Sequence, residues 1–230
     1  MSLLNYWNYW QMEAERALQV LPHLSLLELQ KYASQKVPDR RVLHQGQKPV
    51  VSLSQRASVL VPASSISYSF YSLQNTELLI ASHQDKICFL GFVDTTKARN
   101  EAVRQLERSF SPSILKPESN PAQLAFLAYL SEDKSSHLPA FELIGTDFQL
   151  RVWYELLQLE WGEFISYQEL AGRVGIERGF QAIGTAVGRN PLAYFIPCHR
   201  VLQTSGGLGG FRWGVLRKLG FVLAELEEYE

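Results

Sequence analysis

The sequence predicts an α+β fold: a small N-terminal α/β domain followed by a helical domain of winged helix-turn-helix form. Three observations carry this reading. Apolar residues alternate with period two in three consecutive segments after Ile66. After Gly145 the spacing becomes helical, and two short helices meet at a tight turn holding Gly175. Of 230 residues, 46% are hydrophobic and 20% charged, with a net charge of −1; that composition excludes extended disorder. No apolar run approaches the roughly 18 residues a bilayer needs, and no basic start precedes an apolar stretch, so neither a membrane span nor a secretory signal is expected. Two cysteines, Cys88 and Cys198, cannot build a disulfide framework or a cysteine-rich zinc site, which points to a reducing, cytoplasmic setting. Near-neutral charge argues against general coating of polyanions but leaves room for a local basic patch.

Taken in order, residues 3–36 carry apolar residues at helical spacing and predict two helices divided by Pro22, the second capped by Ser25 with Glu28 three residues on. Residues 37–62 are polar and proline-containing, and read as a linker with a strand around Val50–Leu53. Strands follow at Ile66–Leu73, Glu77–Ser82 and Lys86–Val93, with turns at Asn75 and at Gln84-Asp85. Helices at Lys97–Phe110 and Pro121–Leu130 and a strand at Ala140–Leu143 complete the α/β domain. Thr146 then caps a helix over Asp147–Leu159, and Ser166 caps a short one through Val174. A further helix spans Phe180–Gly188 and ends at Asn190-Pro191. An extended piece over Ile196–Leu202, a glycine-rich wing hairpin over Thr204–Phe211 and a last helix over Val215–Glu228 close the chain. The expected domains are 1–62, a helical extension and linker; 63–144, the α/β domain; and 145–230, the helix-turn-helix domain.

Chemistry concentrates at Pro197-Cys198-His199-Arg200-Val201. A cysteine acts as a nucleophile through its thiolate, which neighbouring positive charge favours. A lone cysteine is more often a small buried hydrophobe, and Cys88 within Ile87-Cys88-Phe89-Leu90 fits that description. Cys198 does not, because His199 and Arg200 follow it. On an extended strand adjacent side chains point to opposite faces, so a water or a backbone twist must mediate between thiol and imidazole. The glycines of Ser205–Gly210 lack the lysine and spacing of a phosphate loop, and His23, His44, His83 and His137 show no metal-ligand spacing. No metal is expected.

The five residues around Cys198 resemble the active-site motif of the O6-alkylguanine-DNA alkyltransferases, the methylated-DNA–protein-cysteine methyltransferases. Gly145–Gln149 with Val152-Trp153, Ser166–Ala171, Gly188–Pro191 and Arg212–Gly214 with Arg217-Lys218 extend the resemblance across residues 145–230. Residues 66–143 are similar, more weakly, to the family's ribonuclease-H-like N-terminal domain. The resemblance implies a winged helix-turn-helix-like alkyltransferase domain that repairs DNA by direct reversal, moving an alkyl group irreversibly from guanine O6 to Cys198, without a cofactor. It makes His199 the base acting through a water, and Glu225, 27 residues after the cysteine, the carboxylate that orients it. Tyr167 becomes the phenol that donates to the guanine, and Asn190 the brace beside the cysteine. Read alone, Glu225 belongs to an acidic tail that would normally be solvated.

The implied partner is double-stranded DNA bearing O6-alkylguanine, met by a monomer. The lesion lies inside the duplex, so the nucleotide must rotate into the protein. Family members fill the vacated stack with an arginine seventeen positions before the cysteine, which here is Gln181. Gln181, Ala182, Arg189 and Arg200 are the expected DNA contacts, with Arg173 and Arg178 adding charge to a modest patch. Phe211 replaces a tyrosine common in the family. A damage sensor that transfers poorly, a transcriptional regulator reading DNA through residues 1–62, and a Cys-His hydrolase are the rival readings; retention of Cys198 favours the transferase over the sensor.

Overall fold

The structure, a computed structural model, describes residues 50–56, 64–73, 76–93, 96–131, 138–176 and 179–226. The helices expected over 3–36, the turn at Asn75 and the acidic residues after Leu226 lie outside the described residues. The elements are β1 (Val51–Gln55), β2 (Ser65–Leu73), β3 (Thr76–His83), β4 (Lys86–Val93), α1 (Thr96–Phe110), β5 (Ile114–Lys116), α2 (Pro121–Leu130) and β6 (Phe141–Gly145). Then come α3 (Asp147–Gln158), β7 (Ile165–Ser166), α4 (Tyr167–Arg173), α5 (Phe180–Gly188), a 3-10 helix (Cys198–Arg200), β8 (Val201–Leu202) and α6 (Val215–Leu226). The fold is mixed α/β, with helices around a mixed six-stranded sheet. Among the described residues no helix is long and apolar enough to cross a membrane.

The sheet runs β1-β6-β4-β3-β2-β5. Its β2–β3–β4 meander is antiparallel, whereas β1–β6, β4–β6 and β2–β5 are parallel. Period-two patterning sends Leu78 and Ile80 into one core and Leu79 and Ala81 into the other. Helix α1 covers the second face through Leu106 and Phe110, around Cys88 and Phe89. Cys88 is fully buried, as the sequence suggested. The strand expected around Val50–Leu53 forms as β1, which pairs in register with β6 from Val51–Phe141 to Gln55–Gly145. Strand β5 was not foreseen, because three residues are too few to show a period.

The caps expected at Thr146 and Ser166 form, while Ser25 lies outside the described residues. Thr146 with Gln149, and Ser166 with Glu169, each close a reciprocal capping box at the start of α3 and α4. The turn after α4 needs a positive φ, and Gly175 supplies it at +78°. Leu170, Ala171, Val174, Ile183, Ala186 and Val187 then pack α4 and α5 into the main core. Trp153 of α3 donates through Nε1 to Ala186 O at 2.9 Å, fastening α3 beneath α5.

Two expectations about the C-terminal part need correction. The piece over Ile196–Leu202 is a strand only at β8: before it, Cys198 N donates to Ile196 O (2.7 Å) and Arg200 N to Pro197 O (3.0 Å), which curls Cys198–Arg200 into the 3-10 helix. Pro197 has no N–H for a strand ladder, so a turn is the natural outcome. The segment over Thr204–Phe211 forms no hairpin strands. Gln203 N donates to Gly207 O (2.8 Å), and positive φ at Gly206 and Gly209 folds the chain into compact turns. Strand β8 pairs instead with β7, in parallel.

The sheet also reaches the loop before the cysteine. Strand β4 pairs with β6 at Ile87–Phe141. Three residues later Leu90 N donates to Pro191 O (2.9 Å) and Leu90 O accepts from Ala193 N (3.0 Å). One continuous core, from Leu78 and Phe126 to Cys198 and Leu219, lies across this junction.

Packing at the β6–α3 junction gives a stability test. A Cβ on Gly145 would lie 2.7 Å from the Trp153 ring, whereas one on Gly172 would meet nothing within 4 Å. Gly145→Ala should therefore cost about 1–3 kcal/mol through overpacking, and Gly172→Ala should gain up to about 1 kcal/mol from helix propensity. Urea unfolding at constant m-value checks both; a Gly145→Ala midpoint equal to that of the parent would mean that Trp153 yields freely.

Candidate active site

Asn190, just beyond α5, spends its whole side chain on the cysteine loop. Its Oδ1 accepts from Leu192 N (2.8 Å), while Nδ2 donates to Ile196 O (2.9 Å) and to Cys198 Sγ (3.0 Å). Cys198 is only 4% exposed. Burial raises its thiol above the ordinary cysteine value, and the Asn190 N–H, then Lys218 and Arg212, offset part of that rise. The cations acting on Cys198 are therefore not the adjacent residues that the sequence suggested.

His199 and Arg200 turn toward Glu225 instead. His199 Nε2 lies 2.7 Å from Glu225 Oε1, and Arg200 Nε donates to both carboxylate oxygens at 3.0 and 2.9 Å. Gly162 N adds a bond to Oε2 at 2.9 Å, and Arg200 Nη1 donates to Leu159 O at 2.7 Å. Burial would raise the Glu225 carboxyl, but Arg200 and His199 outweigh it and hold the group at about 2. An ionised carboxylate only accepts, so Nε2 must carry the hydrogen and Nδ1 the lone pair. Nδ1 is buried and has no hydrogen-bond partner among the described residues. Tyr194 stacks on the imidazole at 7° and Phe221 lies 5.1 Å from it, so burial lowers the His199 pKa despite Glu225. The imidazole is neutral and its free nitrogen is available as a base.

Arg200 thus departs from the expected DNA contacts. Its guanidinium is neutralised internally and only 8% of the residue is exposed. Arg173 is likewise engaged, pairing with Glu163 at 2.7 Å on the surface, and Arg178 lies outside the described residues. Gln181, Ala182 and Arg189 are exposed along the outer side of α5, with Phe180 half exposed beside them. Tyr167, first residue of α4, is part-buried; burial and then Cys198 raise its phenol.

Lys218 and Arg212 are the site residues that sequence reasoning missed. Lys218 is fully buried, donates through Nζ to Val201 O (2.7 Å) and to Leu208 O, and lies 6.0 Å from the Tyr167 ring centroid. Burial lowers it to about 8, opposed by Cys198. A signal existed: Lys218 and Glu225 are seven residues apart on the last helix, hence on one face within its apolar stripe.

Comparison with known proteins places this geometry. Residues 147–227 match the model of the 6-O-methylguanine DNA methyltransferase DNA-binding domain. Over 131 residues the chain is 37% identical to the methylated-DNA–protein-cysteine methyltransferase of Mycobacterium bovis, covering 55% of this chain and 78% of that protein. The chain belongs to the O6-alkylguanine-DNA alkyltransferase family. It is 35% identical over 173 residues to the bifunctional transcriptional activator/DNA repair enzyme Ada of Escherichia coli, a match spanning 70% of this chain and 46% of Ada. The crystal structure of Mycobacterium tuberculosis OGT in complex with DNA superposes with a TM-score of 0.51 at 31% identity, over 69% of this chain and 92% of that one. In this family member the matched stretch holds α3 to α6 and every side chain of the cluster from Tyr167 to Glu225.

The buried carboxylate makes stability depend on acid. Its folded value of about 2 lies below the ordinary 4.5, so the ionised form stabilises the fold above about 4.5, and that contribution is lost as pH falls toward 2. Glu225→Gln leaves Arg200 buried without a counter-charge, at a cost of about 3–5 kcal/mol near neutrality. Across the acid window the variant should lose less stability than the parent. Parallel stability curves from chemical unfolding at stepped pH would rule Glu225 out as the responsible group.

Proposed function

We propose that this chain repairs DNA by direct reversal, moving a methyl or small alkyl group from guanine O6 to Cys198, once per molecule and without a cofactor. The observation that carries the reading is the pairing of a sulfur gripped by Asn190 with a neutral imidazole whose Nδ1 is unpartnered among the described residues. No hydrogen bond joins Sγ to the imidazole, so a water carries the thiol proton to His199 Nδ1. The thiolate attacks the alkyl carbon, the S–C bond forms, and the carbon–O6 bond breaks. Tyr167 donates a proton to the guanine as its negative charge develops. Glu225 stabilises the resulting imidazolium, the arrangement of a nucleophile, a base and an orienting acid.

The partner is duplex DNA bearing O6-alkylguanine, bound by a monomer in the cytoplasm, where Cys198 stays reduced. A sulfur this buried is out of reach of a base within the stack, so the nucleotide flips. The exposed side of α5, with Gln181, Ala182 and Arg189, faces the duplex. Residues 145–230 act as a helix-turn-helix domain in which the glycine-rich turn after β8 takes the place of a wing. The six-stranded sheet, to which residues 51–55 contribute β1, is its ribonuclease-H-like companion.

Incubation with methylguanine-containing duplex should add one methyl to the intact protein, located on Cys198 and absent from Cys198→Ala. Folded protein of unchanged mass would reject the transferase reading, and a methyl on Cys88 would reject the site.

Gln181 offers a short neutral amide where a longer cation would fill the stack and attract phosphates. Gln181→Arg should raise the transfer rate on duplex several-fold while changing the rate on free O6-benzylguanine by less than about twofold, because a free base needs no flipping. Equal acceleration on both substrates would place residue 181 in the pocket rather than the stack.

A further inference from the structure

Arg212 lies between the glycine-rich turns and α6, and its guanidinium reaches back to the far end of α5. Nη1 donates to Asn190 O at 3.0 Å and Nη2 donates to Gly188 O. These carbonyls sit where α5 ends, at the negative pole of the helix, where a cation is favoured and acceptors lack helical partners. The planar fork of arginine suits two carbonyls at once. Trp213 flanks the group, with the guanidinium carbon 5.5 Å from its ring centroid. On the other side of Asn190, the side-chain amide is pinned by Leu192 N and Ile196 O and holds Sγ. One residue is therefore bonded by its backbone to Arg212 and by its side chain to the nucleophile.

We propose that Arg212 is a positioning residue that ties the end of the DNA-facing helix to the sulfur through Asn190, and supplies a standing positive charge that favours thiolate at Cys198. The inference rests on Cys198 being the alkyl acceptor. Two cations act on the sulfur, and they differ. Burial brings Lys218 to about 8, so its charge weakens just above neutrality, whereas burial brings Arg212 only to about 10, opposed by Cys198 and assisted by Arg189 and Arg108. Arg212 remains charged across the working range. The other groups around the sulfur are Tyr167 on α4, which is neutral, and His199, which turns to Glu225 together with Arg200. Neither offers the thiolate a permanent positive charge.

The test uses iodoacetamide, whose iodide the sulfur displaces to leave a thioether, and follows the Cys198 peptide by mass at stepped pH. Arg212→Gln removes the charge, and the reaction should slow about tenfold at a given pH, the effect of a rise of one unit in the thiol pKa. Arg212→Lys keeps the charge and should stay within about threefold of the parent. Arg212→Met, which retains an apolar stem against Trp213, replaces the glutamine variant if that fails to fold and should be slowed alike. A purely structural role would loosen the loop, expose Cys198 and speed the reaction with an unchanged pH dependence; that result overturns the proposal. Equal slowing in the lysine and glutamine variants overturns it as well. The reagent needs no DNA, so a parent protein that shows this dependence but accepts no methyl would sink the repair reading alone.

Discussion

The C-terminal half of the molecule is organised around one buried carboxylate. Glu225 accepts from His199, from Arg200 on both oxygens and from the backbone of Gly162. These contacts join α6, the 3-10 helix of the active-site motif and the loop between α3 and β7. A lone buried carboxylate would shed its charge by binding a proton. Here two cationic or polarised partners and a backbone N–H keep it ionised, which in turn fixes the tautomer of His199. The site's acid–base logic follows from this. Arg200 is the structural counter-ion, so His199 can stay neutral without leaving the carboxylate unpaired.

A division of labour among the cations is the consequence. Arg200 neutralises Glu225, and the sulfur receives its positive charge from Arg212 and Lys218, which come from a different stretch of chain. Both of these anchor on backbone carbonyls: Arg212 at the end of α5, Lys218 at β8 and the glycine-rich turn. The same bonds that satisfy the buried charges thus hold the walls around Cys198. Burial alone would make the thiol inert, as it does at Cys88, whose thiol burial pushes up with the Glu142 charge adding to it. The difference between the two cysteines lies in their neighbours' charge and hydrogen bonding, since both are buried.

The N-terminal sheet has a part in this beyond being a neighbour. Leu90 of β4 exchanges backbone hydrogen bonds with the loop that carries Pro191 and Ala193, directly after Asn190. Aromatic packing continues the connection, from Phe126 and Phe141 through Phe195 and Tyr194 to the His199 ring. The imidazole therefore rests on a platform rooted in the sheet, and its depressed basicity is a property of both parts of the chain.

Much of this was legible in the sequence, and the reason is local. Period-two patterning marks β2, β3 and β4 because each strand faces two apolar layers, and Thr146 and Ser166 mark helix starts because capping is settled within four residues. Cys198, His199, Glu225, Tyr167 and Asn190 were singled out by the resemblance to the family, and the fold brings Asn190 to the sulfur and Glu225 to the imidazole. What tertiary structure decided was the choice of partner. Arg200 lies two residues from the cysteine in the chain yet bonds a carboxylate 25 residues away, while Arg212 and Lys218 reach the cysteine loop only once α6 packs. The strand expected around Val50–Leu53 runs on to Gln55 because β6 offers it an edge that far. Periodicity reports whether a side chain meets water or an apolar layer; which charge it meets there depends on distances between remote segments, and these exist only in the folded chain.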